Sequence, residues 1–224
     1  SPTSLSITNS AKVLSSADAA SGYAQASFEY PVPGQRPRLI VSYIVGPAHE
    51  EHRLRLHRGW NIVSLPVEPD DPAIDRALAE VLDKVEAVWA YDAWDQGGRW
   101  KVNVPGRKQN DLLSLDRRRG YWIKMREDAV LAVRGMRYPR TTISLRTGWN
   151  LVGYPAARAR ALRSALARIA PALGSVWFYD GQDPTDPWKS YSPEAPAWAN
   201  ELSKCAPSRG YWILVGEDCA LDLP

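Results

Sequence analysis

The chain has few of the residues that usually carry catalysis, and almost no phenylalanine. Its 224 residues include three histidines, two cysteines, two methionines and two phenylalanines. It contains no G-x-S-x-G, P-loop, G-x-G-x-x-G or C-x-x-C motif, which are patterns of common nucleophiles, nucleotide sites and redox pairs. No hydrophobic run approaches the ~20 residues that a membrane-spanning helix needs. These absences predict a protein that is not an enzyme, has no cofactor and does not insert into a membrane.

What the chain has instead is ten tryptophans and an internal repeat. GWNIVSLP at 59–66 returns as GWNLVGYP at 148–155, and each copy is followed by a VWxYD motif, a Trp-Lys pair, a proline and GYWI. Matched motifs stay 88 to 90 residues apart, as in a duplicated unit with small loop insertions. The sequence therefore predicts an N-terminal β segment and linker at 1–50, a first repeat module at 51–136 and a second at 137–224.

Each module is predicted to be a small antiparallel sheet with one helix. Alternating apolar and polar residues before each GWN motif are typical of half-buried strands, and Gly59 and Gly148 favour tight hairpins because glycine tolerates positive φ. A helix is expected after Asp71-Pro72. Its apolar stripe and the matching stripe of the second copy are Ile74, Leu78, Val81, Leu82 and Val85, and Leu162, Ala165, Leu166, Ile169 and Leu173. The predicted fold class is α+β, mainly β.

Charge is close to balance and does not indicate a polyanionic partner. The chain has 28 basic and 25 acidic residues, for a net charge of +3, which is too even to predict nucleic-acid binding. The densest basic run, Arg117 to Arg119, is matched in the second copy only by Arg209. A solvated loop is favoured over an anion site there.

Two stretches resemble known families. ASFEY at 26–30 with RPRLIVSY at 36–43 resembles the closing segment of DNRLRE-type domains, which are similar to the jelly-roll carbohydrate-binding modules of bacterial surface proteins. We call the N-terminal β segment and linker at 1–50 the leader. The strands expected in the leader are Leu5–Ile7 and Leu39–Val45. The GWN, VWxYD and GYWI motifs at 53–224 resemble a repeat near the C-termini of large secreted or surface-attached bacterial proteins. These resemblances imply an extracellular or cell-surface location.

Eight tryptophans pair across the repeat and are predicted to fill the core in place of phenylalanine. They are Trp60 with Trp149, Trp89 with Trp177, Trp100 with Trp188, and Trp122 with Trp212. Trp94, Tyr154, Tyr191 and Trp198 have no aromatic counterpart in the other copy. These four are the candidate ligand contacts, because exposed aromatic rings stack on sugars and anchor protein interfaces. The alternative, that these four side chains only cover loops, fits them equally well.

The two cysteines match apolar positions of the first repeat, Cys205 with Leu115 and Cys219 with Ala129. We expect a disulfide between them, which favours an oxidising, extracellular compartment. Two buried free thiols are the alternative.

Two further groups could hold a metal ion, and in both the other interpretation is favoured. Asp92 and Asp95 are repeated as Asp180 and Asp183; their spacing differs from that of an EF-hand, so turn capping is expected rather than calcium. His49, His52 and His57 lack the spacing of a zinc protease motif, and a solvated linker is expected. No metal site is predicted.

These observations favour a non-catalytic structural or adhesive protein of a bacterial surface. The unpaired strand edges of the leader are expected to pair with a neighbouring subunit or another surface protein, and so to build a filament or surface layer. The alternative is a carbohydrate-binding accessory module of a larger secreted protein, with polysaccharide as the partner.

Overall fold

The computed structural model of the chain describes residues 22–28, 39–45 and 47–223. Contacts divide the chain into two compact units, Ser1–Gly46 and Pro47–Pro224. In the first unit, β1 (Gly22–Phe28) pairs antiparallel with β2 (Leu39–Val45), so the second of the two predicted leader strands is confirmed. The first, at Leu5–Ile7, lies outside the described residues.

The described part of the second unit, residues 47–223, contains fifteen strands and two single-turn α-helices. In its first half these are β3 (Ala48–Leu56), β4 (Gly59–Ser64), β5 (Glu68–Pro69), α1 (Ile74–Ala77), β6 (Val85–Tyr91), β7 (Trp100–Asn103), β8 (Gly120–Met125) and β9 (Ala129–Arg137). In its second half they are β10 (Thr141–Leu145), β11 (Gly148–Gly153), β12 (Arg160–Ala161), α2 (Leu162–Ala165), β13 (Leu173–Tyr179), β14 (Trp188–Tyr191), β15 (Lys204–Cys205), β16 (Gly210–Val215) and β17 (Cys219–Leu223). Short 3₁₀ turns cover Leu82–Lys84, Ala167–Ile169 and Ala197–Ala199. No helix among the described residues is long and apolar enough to cross a bilayer.

Both halves contain a four-stranded antiparallel sheet with the same strand order. The order is β4-β8-β6-β7 in the first half and β11-β16-β13-β14 in the second. The register shifts at the same place in both, between Val85 and Ala87 in β6 and between Leu173 and Ser175 in β13. Every ladder between named strands of residues 47–223 stays within one half. The prediction of a mainly β chain is confirmed.

The predicted hairpins at Gly59 and Gly148 are wrong, although both glycines do adopt positive φ, at 89° and 98°. The strands on either side of each glycine enter different sheets. In the first half β3 pairs with β9, whereas β4 pairs with β8. In the second half β10 pairs with β17, whereas β11 pairs with β16. The glycine therefore turns the chain from one sheet into the next.

The asparagine of each GWN motif holds this turn together. Asn150 Oδ1 accepts a hydrogen bond from the Arg146 amide at 2.9 Å, and its Nδ2 donates to the carbonyl oxygens of Arg146 at 2.7 Å and Gly148 at 3.0 Å. Asn61 repeats the arrangement with His57 and Gly59. Because these side chains are buried, the backbone groups that they bond have little access to water. This role explains why the motif contains asparagine.

We expect Asn150→Ala to lower the free energy of unfolding by about 2 kcal/mol, because it leaves buried backbone groups without partners. Asn150→Asp keeps the acceptor but not the two donors, and should cost about as much. Urea denaturation followed by far-UV circular dichroism measures both. The exposed Gln109→Ala is the control and should stay within ~0.5 kcal/mol. Equal midpoints for Asn150→Ala and the control would contradict this role.

The helices in the structure are also much shorter than the sequence predicts. The apolar stripe of the first repeat predicted a helix from the residue after Asp71 to Val85, but α1 has four residues and Val85 begins β6. Asp71 caps a turn before α1 by accepting a hydrogen bond from the Ala73 amide at 3.1 Å. The stripe residues Ile74, Leu78, Val81 and Val85 are nevertheless buried. Their burial needs only a compact, irregular connection, so the helical spacing did not require a helix.

Each half has its own hydrophobic core, and side chains of the first half also pack against that of the second. Leu54, Leu65, Val88 and Ile123 are among the buried residues of the first core. The second core includes Ile62, which comes from β4 of the first half. Tyr91 and Trp122 of the first half are partly buried against this second core. The two halves therefore share an interface.

Candidate functional site

Four strands of the first half place their tryptophans on the same face of one sheet. Trp60 lies in β4, Trp122 in β8, Trp89 in β6 and Trp100 in β7, and Trp89 is directly opposite Trp122. Because successive side chains point to opposite faces of a strand, their neighbours along the chain, such as Tyr121, enter the core instead. The result is a sheet with a hydrophobic core on one face and four indoles on the other.

The second half repeats this arrangement. Trp149, Trp212, Trp177 and Trp188 lie in β11, β16, β13 and β14, and Trp177 is directly opposite Trp212. Tyr211, the counterpart of Tyr121, is again buried beneath them.

The prediction that the eight paired tryptophans fill the core is therefore wrong. Trp60, Trp100, Trp149, Trp177 and Trp188 expose between 37% and 45% of their surface, and Trp89, Trp122 and Trp212 are partly buried. Most of the core is leucine, isoleucine and valine, together with four buried tyrosines, Tyr121, Tyr154, Tyr191 and Tyr211. Repetition of a residue shows that both copies need it, but does not show which face it occupies. A signal was present, since each VWxYD and GYWI strand alternates core residues with aromatic ones.

The two halves contact each other reciprocally across this aromatic face. Tyr91 of the first half touches Trp212 of the second, and Tyr179 of the second touches Trp122 of the first, with ring centroids 5.1 Å apart in both pairs. Trp100 with Trp212 and Trp188 with Trp122 are a second such pair, at 5.7 and 5.8 Å. An interface in which residue i meets j and j meets i is the mark of a two-fold relation.

Backbone contacts near the interface follow the same reciprocity. The Ser64 amide donates to the Ser208 carbonyl at 2.9 Å, and the Gly153 amide donates to the Arg118 carbonyl at 2.7 Å. Arg117 is buried and donates from Nη1 to Thr141 Oγ1 at 2.8 Å. The basic run at 117–119 is therefore not the solvated loop that the sequence favoured, because part of it joins the halves.

Two clefts open at the surface, one on the tryptophan-bearing face of each four-stranded sheet. The first cleft has a volume of about 500 Å³ and is lined by Trp60, Trp89, Trp100, Trp122 and Tyr179. The second cleft has a volume of about 460 Å³ and is lined by Trp149, Trp177, Trp188, Trp212 and Tyr91. Each cleft thus takes four tryptophans from its own half and one tyrosine from the other, so neither half forms a complete cleft alone.

The chemistry of the clefts is that of a stacking surface. Their linings contain only tryptophan and tyrosine, so no carboxylate, imidazole or thiol stands there to act as a general acid, base or nucleophile. Of the eight indole N–H groups, only that of Trp177 has a partner within the described residues, Ser175 Oγ at 3.3 Å. The other seven are free to donate to water or to a ligand.

The four candidate ligand contacts lie in different parts of the structure, and for two of them the structure contradicts the prediction. Tyr154 and Tyr191 are 2% and 8% exposed and therefore cannot meet a ligand; burial raises the pKa of Tyr154 to about 12. Trp94 is half exposed and lines a separate cavity of about 350 Å³, with Arg146 5.5 Å from its ring centroid. Trp198 is 86% exposed on a 3₁₀ turn and lines neither cleft.

The predicted disulfide is also corrected, because Cys205 and Cys219 are both free thiols. Cys205 is buried in β15, where burial raises its pKa to about 12. Cys219 is partly buried in β17 opposite Leu145, and its pKa is raised by burial and by the nearby Glu217 and Asp218. The two cysteines therefore do not indicate an oxidising compartment.

The acidic loops cap turns, as the sequence favoured. Lys101 pairs with one oxygen of Asp95, and the other oxygen, Oδ1, accepts hydrogen bonds from the amides of Gly97 and Gly98. The lysine first, and then the two amides, hold the pKa of the Asp95 carboxyl below its usual range. Asp183 pairs with Lys189 in the second half. No group of three or more potential metal ligands occurs in the described part of the chain.

The expected histidine linker is instead the start of a strand. His49 and His52 lie in β3. The Nε2 of His49 is 2.8 Å from an oxygen of Asp70, and that of His52 is 2.9 Å from Ser208 Oγ. Burial lowers the pKa of His52. Both rings therefore serve as hydrogen-bonding groups of the fold.

Comparison of the chain with protein-family models, with curated proteins and with solved structures gave no significant match. The two clefts are therefore the features from which a function can be inferred.

Proposed function

We propose that residues 47–223 form a non-catalytic glycan-binding module whose two aromatic clefts hold sugar rings. One observation carries the proposal: each cleft brings four tryptophans and a tyrosine together at the surface. Exposed apolar surface of this extent is unusual on a protein unless something binds there. Clefts of about 500 and 460 Å³ lie within the range of ligand sites.

Sugar rings suit this lining better than other ligands of similar size. Pyranoses whose hydroxyls are equatorial present flat C–H faces that stack on indole, while the hydroxyls at their edges accept hydrogen bonds from free indole N–H groups. A quaternary ammonium would favour aromatic rings too, but no carboxylate lines either cleft to balance its charge. We therefore propose β-linked glycans of glucose or similar equatorial sugars.

The wider setting belongs to the same proposal. We propose that the two halves are homologous modules that arose by duplication, each an antiparallel sheet with one short helix, and that the protein works as an adhesive component at an extracellular surface. The equal strand order and register shifts of the two sheets support the duplication. Adhesion to polysaccharide needs binding without turnover, which a lining of indoles provides.

Self-association through the leader is a second candidate. Among the described residues, β1 and β2 form a two-stranded sheet, and such a pair is marginal by itself and leaves two edges for further strands. Native mass spectrometry of the full chain at several concentrations tests it. Growth of oligomers with concentration supports a filament or surface layer, whereas a 25.0 kDa species at every concentration argues against it.

The glycan proposal predicts a preference among oligosaccharides. Cellohexaose should bind and shift the tryptophan fluorescence, because ligand would desolvate exposed indoles. Maltohexaose, whose α-linkages curve the chain, should bind at least tenfold more weakly, a difference of about 1.4 kcal/mol.

Titration of the full chain by fluorescence and calorimetry checks this preference. A proline-rich peptide and choline serve as comparison probes, since aromatic clefts also accept those chemistries. Binding of either probe with no response to cellohexaose would overturn the glycan assignment.

A further inference from the structure

The two clefts are duplicated but physically separate. The reciprocal ring contacts relate them by a two-fold rotation, and the two clefts have no lining residue in common. Their volumes differ by less than a tenth. Two sites of nearly the same shape on one chain raise the question of whether they share a ligand or hold two.

Two triads of aromatic rings stand between the clefts. The first consists of Tyr91, Trp100 and Trp212, with centroids 5.1 to 5.7 Å apart. Trp100 faces the first cleft, and the other two rings face the second. Rings at these separations are in direct contact, with no space between them for a third.

The second triad is the two-fold counterpart of the first. It consists of Tyr179, Trp188 and Trp122, with centroids 5.1 to 5.8 Å apart. Trp188 faces the second cleft, and the other two rings face the first. A sugar chain cannot pass through either triad from one cleft to the other.

We propose that each molecule binds two separate glycan chains at once and thereby cross-links them. The proposal rests on the glycan-binding function above and adds the number and independence of the sites. Two sites on one compact unit tie two polymers together, and on a surface with many chains they raise the overall affinity through avidity.

The rims of the clefts differ opposite the first tryptophan of each sheet, which affects affinity but not the number of sites. Lys124 lies opposite Trp60, with its Nζ 5.8 Å from the ring centroid and 2.7 Å from Glu86. In the second half Leu214 lies opposite Trp149. The first cleft therefore has a charged rim and the second an apolar one. The two sites should bind with different constants, so the diagnostic quantity is stoichiometry.

Calorimetric titration with cellohexaose tests the number of sites. The full chain should bind two molecules per monomer, with the monomeric state verified by sedimentation. Trp60→Ala and Trp149→Ala remove one ring each from the first and second cleft. Each variant should bind one molecule at ordinary affinity, and the double variant should bind none. Trp198→Ala, which lies in neither cleft, is the matched control and should keep both.

Cross-linking is measured with long, soluble mixed-linkage β-glucan. The full chain should raise the viscosity and turbidity of the glucan solution, while each single variant binds the polymer without doing so. A stoichiometry of one for the full chain, or unchanged cross-linking by the single variants, would overturn the two-chain inference and leave glycan binding intact. Absence of any cellohexaose or glucan binding would instead overturn the proposed function. Near-UV circular dichroism of each variant confirms that it is folded.

Discussion

Trp122→Ala is expected to lower the free energy of unfolding by about 3 kcal/mol, the cost typical of removing a well-packed tryptophan. The Trp122 ring contacts Trp60 in its own half and Tyr179 and Trp188 in the other, and it packs against the core of the second half. Truncation leaves a void where the halves meet. For a domain of this size the melting temperature should fall by roughly 10 °C.

Calorimetric melting of Trp122→Ala against Trp198→Ala isolates this effect, since both changes remove an indole. The control is exposed and should melt within about 2 °C of the unchanged chain. Trp212→Ala, the two-fold counterpart, should cost as much as Trp122→Ala. If Trp122→Ala melted with the control, the aromatic contacts would not hold the halves together.

Gly210→Ala is expected to cost about 3 kcal/mol for a steric reason. A Cβ at Gly210 would lie 2.8 Å from the Val63 carbonyl oxygen and 3.2 Å from both Gly120 Cα and Ile62 Cγ1. Two of these atoms belong to the backbone of the other half and can move only if the strands separate. The substitution should therefore loosen the interface without removing any aromatic ring.

Urea denaturation gives the size of this effect, and two further variants test its cause. Gly120→Ala places its Cβ 2.8 Å from the Val152 carbonyl oxygen, so it should cost a similar amount. Gly216 is exposed, and its Cβ would be 3.8 Å from the nearest backbone atom. Gly216→Ala should therefore stay within ~0.5 kcal/mol. Equal denaturation midpoints for all three variants would contradict the close approach of the halves.

Both substitutions, at Trp122 and at Gly210, weaken the interface between the two halves. The interface that holds the halves together is also the place where the clefts are completed, because Tyr179 belongs to the first cleft and Tyr91 to the second. Weakening the interface should therefore weaken ligand binding in both clefts, even where all the lining side chains remain.

Much of the local structure could be predicted from the sequence. The repeat, the strands at the VWxYD, Trp-Lys and GYWI motifs, and the positive φ of Gly59 and Gly148 all depend on short-range properties of the chain. Strand alternation and the freedom of glycine act over a few residues, so the pattern carries them directly. Turn capping by Asp95 and Asp183 is likewise local.

The candidate site could not be predicted in the same way. The difference between the copies predicts Tyr154 and Tyr191 as ligand contacts, yet both are buried, while the repeated tryptophans line the clefts. A strand with apolar residues on both faces is compatible with a sheet that is buried on both sides. It is equally compatible with a sheet that leaves one aromatic face exposed. Only the arrangement of the second sheet decides which indoles remain exposed.

The sequence by itself determined the duplicated order of the strand motifs, the mainly β composition and the burial of the apolar stripe residues Ile74, Leu78, Val81 and Val85. The tertiary structure decided which sheet each strand joins, that Cys205 and Cys219 stay apart as free thiols, and that the halves meet about a two-fold relation. The physical reason is the separation along the chain of the residues that determine each property. Alternation and turn chemistry are fixed by neighbours along the chain, whereas strand partners and surface exposure depend on contacts between residues that are far apart in sequence.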